Sequence, residues 1–353
     1  MYTPEEKIIL HCSKIEFTED DRAELKSMLM QNPDWGKIYS LAAYNKVIGL
    51  VSHKLLMFTT EHIPGLMRRQ FLFMNAGNAE RNRTMFLHLK NVISVFEKAK
   101  LKYALLKGPY MINEIYKNPA LRLMNDIDIL IERADFSKVG DVVVSLGYKM
   151  GAFSENTMSI EPATVSDDDM YKNYIGNLYP YVKLVDDPFT LFMQLDFSFN
   201  VNPIKPDNVI TSKMLYNRTS ISINDIQGHT LDAPDFLIHL CTHLYKEAFF
   251  ERTEADKMQI LNLIKFVDVR ELIITKWISA PKEQWDILLR RMDEYQLNEA
   301  VQYSIYCASE IFKDAFWGNI LNRVGKYEDS ANSDLAPMSS RFLNVMFRRG
   351  ESH

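Results

Sequence analysis

The chain has 353 residues, 47% of them hydrophobic, and carries 41 Lys and Arg against 46 Asp and Glu, a net charge of −5. That length can bury one large core or two modest ones. The acidic balance argues against a protein whose whole surface binds nucleic acid or anionic lipid, although a local basic groove stays open. Charged residues at 25% and aromatics at 12% are ordinary globular values and exclude long disorder. No stretch approaches the roughly 18 apolar residues of a membrane span. The N-terminus, MYTPEEKIILHCSK, is too polar and acidic for a secretory signal. Cys12, Cys241 and Cys307 are far apart and form no CxxC, which points to a reducing cytoplasm and no structural zinc.

Three regions follow in chain order: helical at 1–99, mixed at 100–230, and helical again at 231–353. Residues 4–70 carry apolar positions at helical spacing, among them Trp35, Ile38, Leu41, Leu50 and Leu55, with Asp34 as a helix cap. Residues 71–99 suit one long helix with an apolar face at Met85, Leu87, Leu89, Val92, Val95 and Phe96. Tyr103 to Leu106 has strand length. Gly108 and Pro109 then open a helix of about ten residues carrying Met111, Ile112, Ile115 and Tyr116, because Pro fits a first turn whose N–H is not needed. Asn118 and Pro119 stop it. Asn125 to Ile131 alternates polar and apolar and then becomes wholly apolar, as a strand passing from a site into a core does. Ala134 to Leu146 reads as a helix closed by Gly147, and another strand starts near Tyr148. Residues 153–178, with the acidic run Asp167 to Asp169, read as a mobile loop. Tyr179 to Val185 and Phe189 to Phe199 read as strands joined by an Asp-Asp-Pro turn. From Asp235 onward the period is helical, and residues 325–339 read as a loop.

Asp126 and Asp128 stand two apart on a predicted strand, so their side chains share a face with Cα atoms about 6.5–7 Å apart. Two such carboxylates can share one divalent ion or bracket two ions about 3.5–4 Å apart. Hard oxygen ligands favour Mg²⁺ or Mn²⁺ over zinc. A bare Asp-x-Asp is common on solvated strand edges, so the context matters. Upstream lie a strand, Lys107-Gly108, and a helix. Such a turn presents backbone N–H groups and the positive end of a helix to a phosphate, and Lys107 adds a point charge. Metal-binding carboxylates beside a phosphate cradle are what transfer from a nucleoside triphosphate requires.

The stretch YALLKGPYMINEIYKNPALRLMNDIDILI, residues 103–131, resembles the motif block of the bacterial uncharacterised nucleotidyltransferase family of the polymerase-β-like superfamily. The matching positions are Leu106, Lys107, Gly108, Tyr116, Arg122, Met124, Asp126, Asp128 and Leu130. Flanking similarity extends over residues 30–275 and includes Asp34-Trp35, the helix from Asp235 to His243, and Lys265-Phe-Val-Asp268. The resemblance implies an NTP donor, ATP among the candidates, a divalent metal, and Arg122 close to the site. The chain departs from the pattern twice. Pro109 stands where the superfamily keeps a serine or glycine, so triphosphate contacts lean on Lys107 and Gly108. On the later strand Gln194 takes the place of the third acid and Asp196 the place of a histidine. Asp196 either reaches the same space by a shifted register or is a hydrogen-bonded strand residue.

In the C-terminal region Lys246 and Lys265 are candidates to reach the β- and γ-phosphates from a helical lid. His239 and His243, four apart, read as helix-packing residues, since no HExxH is present. Phe236, Tyr245, Phe249 and Phe250 read as core. The expectation is an α+β protein, a small mixed nucleotidyltransferase sheet between N-terminal and C-terminal helical regions. Its reaction would be nucleotidyl transfer in which Asp126, Asp128 and Asp196 form the metal and catalytic set. Lys107, Gly108, Arg122, Lys246 and Lys265 would bind the donor. A small hydroxylated acceptor is favoured over nucleic acid or protein. A nucleotide-binding or interaction module on a degenerate scaffold is the alternative.

Overall fold

Helix caps punctuate the N-terminal part of the computed structural model, which describes residues 2–58, 60–202, 208–249, 261–327 and 346–347. Thr3 opens α1 (Pro4–Cys12) and Thr18 opens α2 (Glu19–Leu29), each in a reciprocal capping box with the acid three residues on. Asp34 caps α3 (Trp35–Tyr44) by accepting the Lys37 N–H at 3.0 Å. Next come α4 (Ile48–Phe58) and the long α5 (Gly65–Lys98). The face of α5 that is buried runs through Asn82, Met85, Phe86, Leu89, Val92, Ile93 and Phe96, steps of three and four. Leu87, expected on that face, is 60% exposed, because it falls one residue outside the stripe.

The middle of the chain builds the sheet. Its elements are β1 (Tyr103–Leu105), α6 (Lys107–Tyr110) with a π-helical extension through Met111–Tyr116, and β2 (Ile127–Ile131). They are followed by α7 (Phe136–Ser145), β3 (Lys149–Ser154) and β4 (Ser159–Pro162). Then come α8 (Val165–Met170), β5 (Tyr181–Leu184), β6 (Phe192–Ser198), α9 (Asn208–Tyr216), β7 (Thr219–Ile223) and β8 (Ile226–Thr230). Among the described residues the sheet has eight strands, in the order β4-β3-β5-β6-β2-β1-β8-β7. The β2–β6 and β1–β8 pairs are parallel and the others antiparallel, so the sheet is mixed. The predicted mobile loop at 153–178 is instead the β3–β4 hairpin, α8 and a π-helical turn. Thr164 accepts the Asp167 N–H, the Asp167 carboxylate accepts the Thr164 N–H at 2.9 Å, and the acidic run lies against the positive end of α8.

Among the described residues five further helices follow: α10 (Ala233–Phe249), α11 (Leu263–Lys276), α12 (Lys282–Tyr295), α13 (Asn298–Phe312) and α14 (Trp317–Val324). Residues 325–327 are non-helical, while the rest of the loop expected to 339 lies outside the described residues, as does Phe250. Among the described residues no helix is long and apolar enough to cross a membrane.

The described residues form two compact units. The sheet unit comprises Glu80–Pro119 and Met124–His239. In it Phe96 packs against Tyr103 and Phe197, with ring centroids 5.2 and 6.1 Å away, and Tyr110 packs on Phe236 at 4.0 Å. The helical unit comprises the described parts of Met1–Ala79, Ala120–Leu123 and Leu240–His353. Its core includes Ile8, Ile9, Leu55, Phe266 and Trp277, the last set edge-on to Trp285 at 4.9 Å. A Cβ at Gly49 would overlap the carbonyl oxygens of Ala120 and Leu121, so only glycine admits that close approach. All three cysteines are buried and unbridged, and burial pushes each thiol pKa up.

Candidate active site

The strand-to-helix turn expected at Lys107-Gly108 is present. Leu106 extends the β1–β2 pairing by donating its N–H to the Asp128 carbonyl at 3.0 Å. The chain then turns sharply into α6 with Lys107 at φ +35°, a left-handed conformation that a residue with a side chain adopts only under constraint. From there the Lys107 Nζ donates to Asp128 Oδ1 at 2.8 Å, a contact largely shielded from water. Gly108 and Pro109 are buried in the first turn, and Met111, Ile112, Ile115 and Tyr116 are buried below them.

The carboxylates come from neighbouring strands. In the parallel β2–β6 ladder Ile127 pairs with Leu195 and Asp128 with Asp196. Strand β6 alternates strictly. Met193, Leu195 and Phe197 are buried, while Gln194, Asp196 and Ser198 share the other, partly open face. Asp126 stands one residue before β2 begins. One oxygen from each of Asp126, Asp128 and Asp196 lies within 4.8 Å of the others. The register puts Asp196 directly across from Asp128, so Asp196 is the third carboxylate of the cluster. Gln194, two residues earlier on the same face, donates its amide N–H to both Asp196 oxygens at 3.1 and 3.2 Å.

Three carboxylates this close repel one another. Burial first, and then the charges of Asp126 and Asp128, push the Asp196 pKa up to about 8, against weaker opposition from Gln194 and Lys107. The cluster thus favours the arrival of positive charge, and its donors are hard oxygens only. The residues present therefore fit a hard divalent cation of the Mg²⁺ or Mn²⁺ type.

Two neighbours of the cluster escaped the sequence reading. Arg81 of α5 donates from Nε to the Met124 carbonyl at 3.1 Å and from Nη1 to the Phe189 carbonyl at 3.2 Å, and its charge interacts with Asp126. Tyr171, in the turn after α8, packs at a tilt against Tyr179, with ring centroids 4.7 Å apart. Burial, then Tyr179, then Asp196 raise the pKa of its phenol. No motif marks either residue; an arginine in a long polar helix and a tyrosine in a polar stretch look like surface.

The remaining predicted donor-binding residues belong to the helical unit. Arg122 is buried and grips Asp268 through Nε at 3.0 and 3.1 Å and Nη2 at 2.7 Å, a forked ion pair. Lys265 pairs with Glu247, which also lies 3.3 Å from His243. Lys246 is in the last turn of α10. His239 is buried and Tyr245 packs on Phe249 and Tyr303, as the core reading expects.

Carboxylates converging from two parallel strands beside a lysine at a strand-to-helix turn define an oxygen-only acidic site on a mixed α+β fold. The sequence model of the family described as "Uncharacterised nucleotidyltransferase" matches residues 31–313, most of the chain. The protein belongs to that family. Its structure is similar to the crystal structure of an antigenic nucleotidyltransferase-like protein from Paracoccidioides brasiliensis, at 14% sequence identity, covering 64% of this chain and 97% of that one. The TM-score is 0.28, too low for that likeness to carry an argument. No curated protein matches the chain.

Proposed function

We propose that the protein is a metal-dependent nucleotidyltransferase that moves a nucleoside monophosphate from an NTP to a hydroxyl group of a small-molecule acceptor and releases pyrophosphate. The convergence of Asp126, Asp128 and Asp196 beside Lys107 carries this reading. These three carboxylates would hold Mg²⁺ or Mn²⁺, which, once bound, screens the charge of the triphosphate. In the reaction the acceptor oxygen bonds to the α-phosphorus and the bond from that phosphorus to the α–β bridging oxygen breaks. Pyrophosphate leaves with the bonding electrons, and the hydroxyl proton passes to a base. Asp196, directly across from Asp128, would be ionised once a cation compensates the crowding that otherwise holds its proton, and in that state would serve as the base. Lys107 and the Gly108 turn would take the phosphates. Lys107 already lies on the carboxylate that a cation would neutralise, so its ammonium would turn from Asp128 to the triphosphate. The rest of catalysis is positioning and charge neutralisation.

The Asp128→Asn variant tests the assignment: it should lose Mg²⁺-dependent pyrophosphate release, and unchanged release would refute it. Labelled NTP incubated with cell extract, followed by nuclease or protease digestion, reads the acceptor class. Label resistant to both supports a small molecule; nuclease-sensitive label would replace it with RNA. A second reading, a nucleotide-binding module without turnover, draws on Pro109 in the turn and on the Gln194 amide bound to Asp196. Calorimetry with ATP or GTP, with and without Mg²⁺, followed by a pyrophosphate assay separates the two.

A further inference from the structure

The three carboxylates are not held alike. Asp128 and Asp196 sit inside the β2–β6 ladder, whose first pair is Ile127 with Leu195. Asp126 precedes that pair, so the ladder does not fix it. What fixes the chain just ahead of it is α5. Asn82 donates to the Pro119 carbonyl at 2.6 Å, and Arg81 donates to the carbonyl of Met124, two residues before Asp126. The same guanidinium reaches the carbonyl of Phe189, three residues before β6 begins. One turn along α5, Thr84 donates its hydroxyl to Asp187 Oδ2 at 3.2 Å, and Asp187 Oδ1 accepts the Phe189 N–H at 2.9 Å. The connections leading into both acid-bearing strands are therefore tied to one helix, and Arg81 is the side chain common to the two.

We infer that Arg81 is a positioning residue, whose fork across the Met124 and Phe189 carbonyls sets the place of Asp126 and thereby the cation affinity of the cluster. The inference rests on the metal-binding reading proposed above. A planar guanidinium can serve two carbonyls in fixed directions at once; an ammonium on a flexible stem cannot reproduce that geometry. Its charge also opposes the repulsion Asp126 meets from the other two acids. Partners that orient a metal's ligands commonly govern affinity by about tenfold or more.

The test uses the full chain and Mn²⁺ alone as probe, with binding followed by electron paramagnetic resonance. Arg81→Gln should weaken Mn²⁺ binding about tenfold, and Arg81→Lys, which keeps the charge and loses the fork, should weaken it to a similar degree. In an Asp126→Asn background, where the ligand that Arg81 places is gone, Arg81→Lys should cost little further. Equal losses from Arg81→Lys with and without Asp126 would mean general structural damage and overturn the inference. So would wild-type affinity in Arg81→Lys. Should Arg81→Gln fail to fold, the Arg81→Lys pair of measurements decides alone. A wild-type protein that binds no Mn²⁺ would instead sink the metal-binding reading itself, an outcome distinct from loss of the Arg81 effect.

Discussion

Buried charge is treated in opposite ways in the two units. In the helical unit it is matched. Arg122 closes a fork on Asp268, and Arg270 holds Asp314 at 2.7 and 2.9 Å while also meeting Glu271. Those contacts lift the Arg270 pKa although burial opposes them. In the sheet unit three carboxylates converge within 4.8 Å, and Asp196 is pushed up to about 8. Opposite charges meet one to one in the helical unit, whereas in the sheet unit three like groups crowd together, with Lys107 on Asp128 and the Arg81 charge near Asp126 only partly offsetting them. The contrast is the physical reason the proposed chemistry is assigned to the sheet unit.

The largest break in that contrast comes from removing a matched partner. Asp268→Ala leaves the Arg122 guanidinium buried without its fork, and should cost about 3–5 kcal/mol, read as a lower urea midpoint. A cost near zero would mean that the pair does not hold the helical unit together. Packing gives a second large effect. Phe86→Ala on the buried face of α5 should cost about 3 kcal/mol.

The crowded acids predict a pH dependence. The folded, metal-free protein holds the Asp196 proton up to about pH 8, whereas the unfolded chain releases it near pH 4, so in between the folded state binds more protons. The Asp196 contribution is fully present below about pH 4 and is lost as pH rises through about 8. In chelator, wild type should therefore lose thermal stability relative to Asp196→Asn as pH rises across this window. Parallel curves for the two proteins would contradict the crowding of the three acids. The smallest effect sharpens the same picture at the surface: Leu87→Ala, one residue from Phe86 but 60% exposed, should shift stability by no more than about 0.5 kcal/mol.

The centre of the candidate site is legible in the sequence because its features are local. Asp126 and Asp128 are two apart, and Lys107-Gly108 sits between a short apolar strand and a Pro-started helix. Period and punctuation alone expose both features. The place of Asp196 depends on a strand register that no local pattern states; the pairing with Asp128 brings it into the acidic cluster. The 153–178 segment looks like a loop in sequence because β4 is nearly all exposed and offers no apolar alternation, and its helix signal is the single Thr164-to-Asp167 capping box. Arg81 and Arg122 were opaque for another reason. The partner of Arg122 lies 146 residues away, and those of Arg81 are backbone carbonyls, which every residue has.

The most direct test of nucleotidyl transfer follows the label through one turnover. Purified protein with Mg²⁺ and cell extract is given the same NTP labelled either at the α- or at the γ-phosphorus. The α-label should pass to the acceptor and the γ-label should leave as pyrophosphate, with Asp128→Asn showing neither. Transfer of the γ-label to the acceptor would make the protein a kinase and contradict the account.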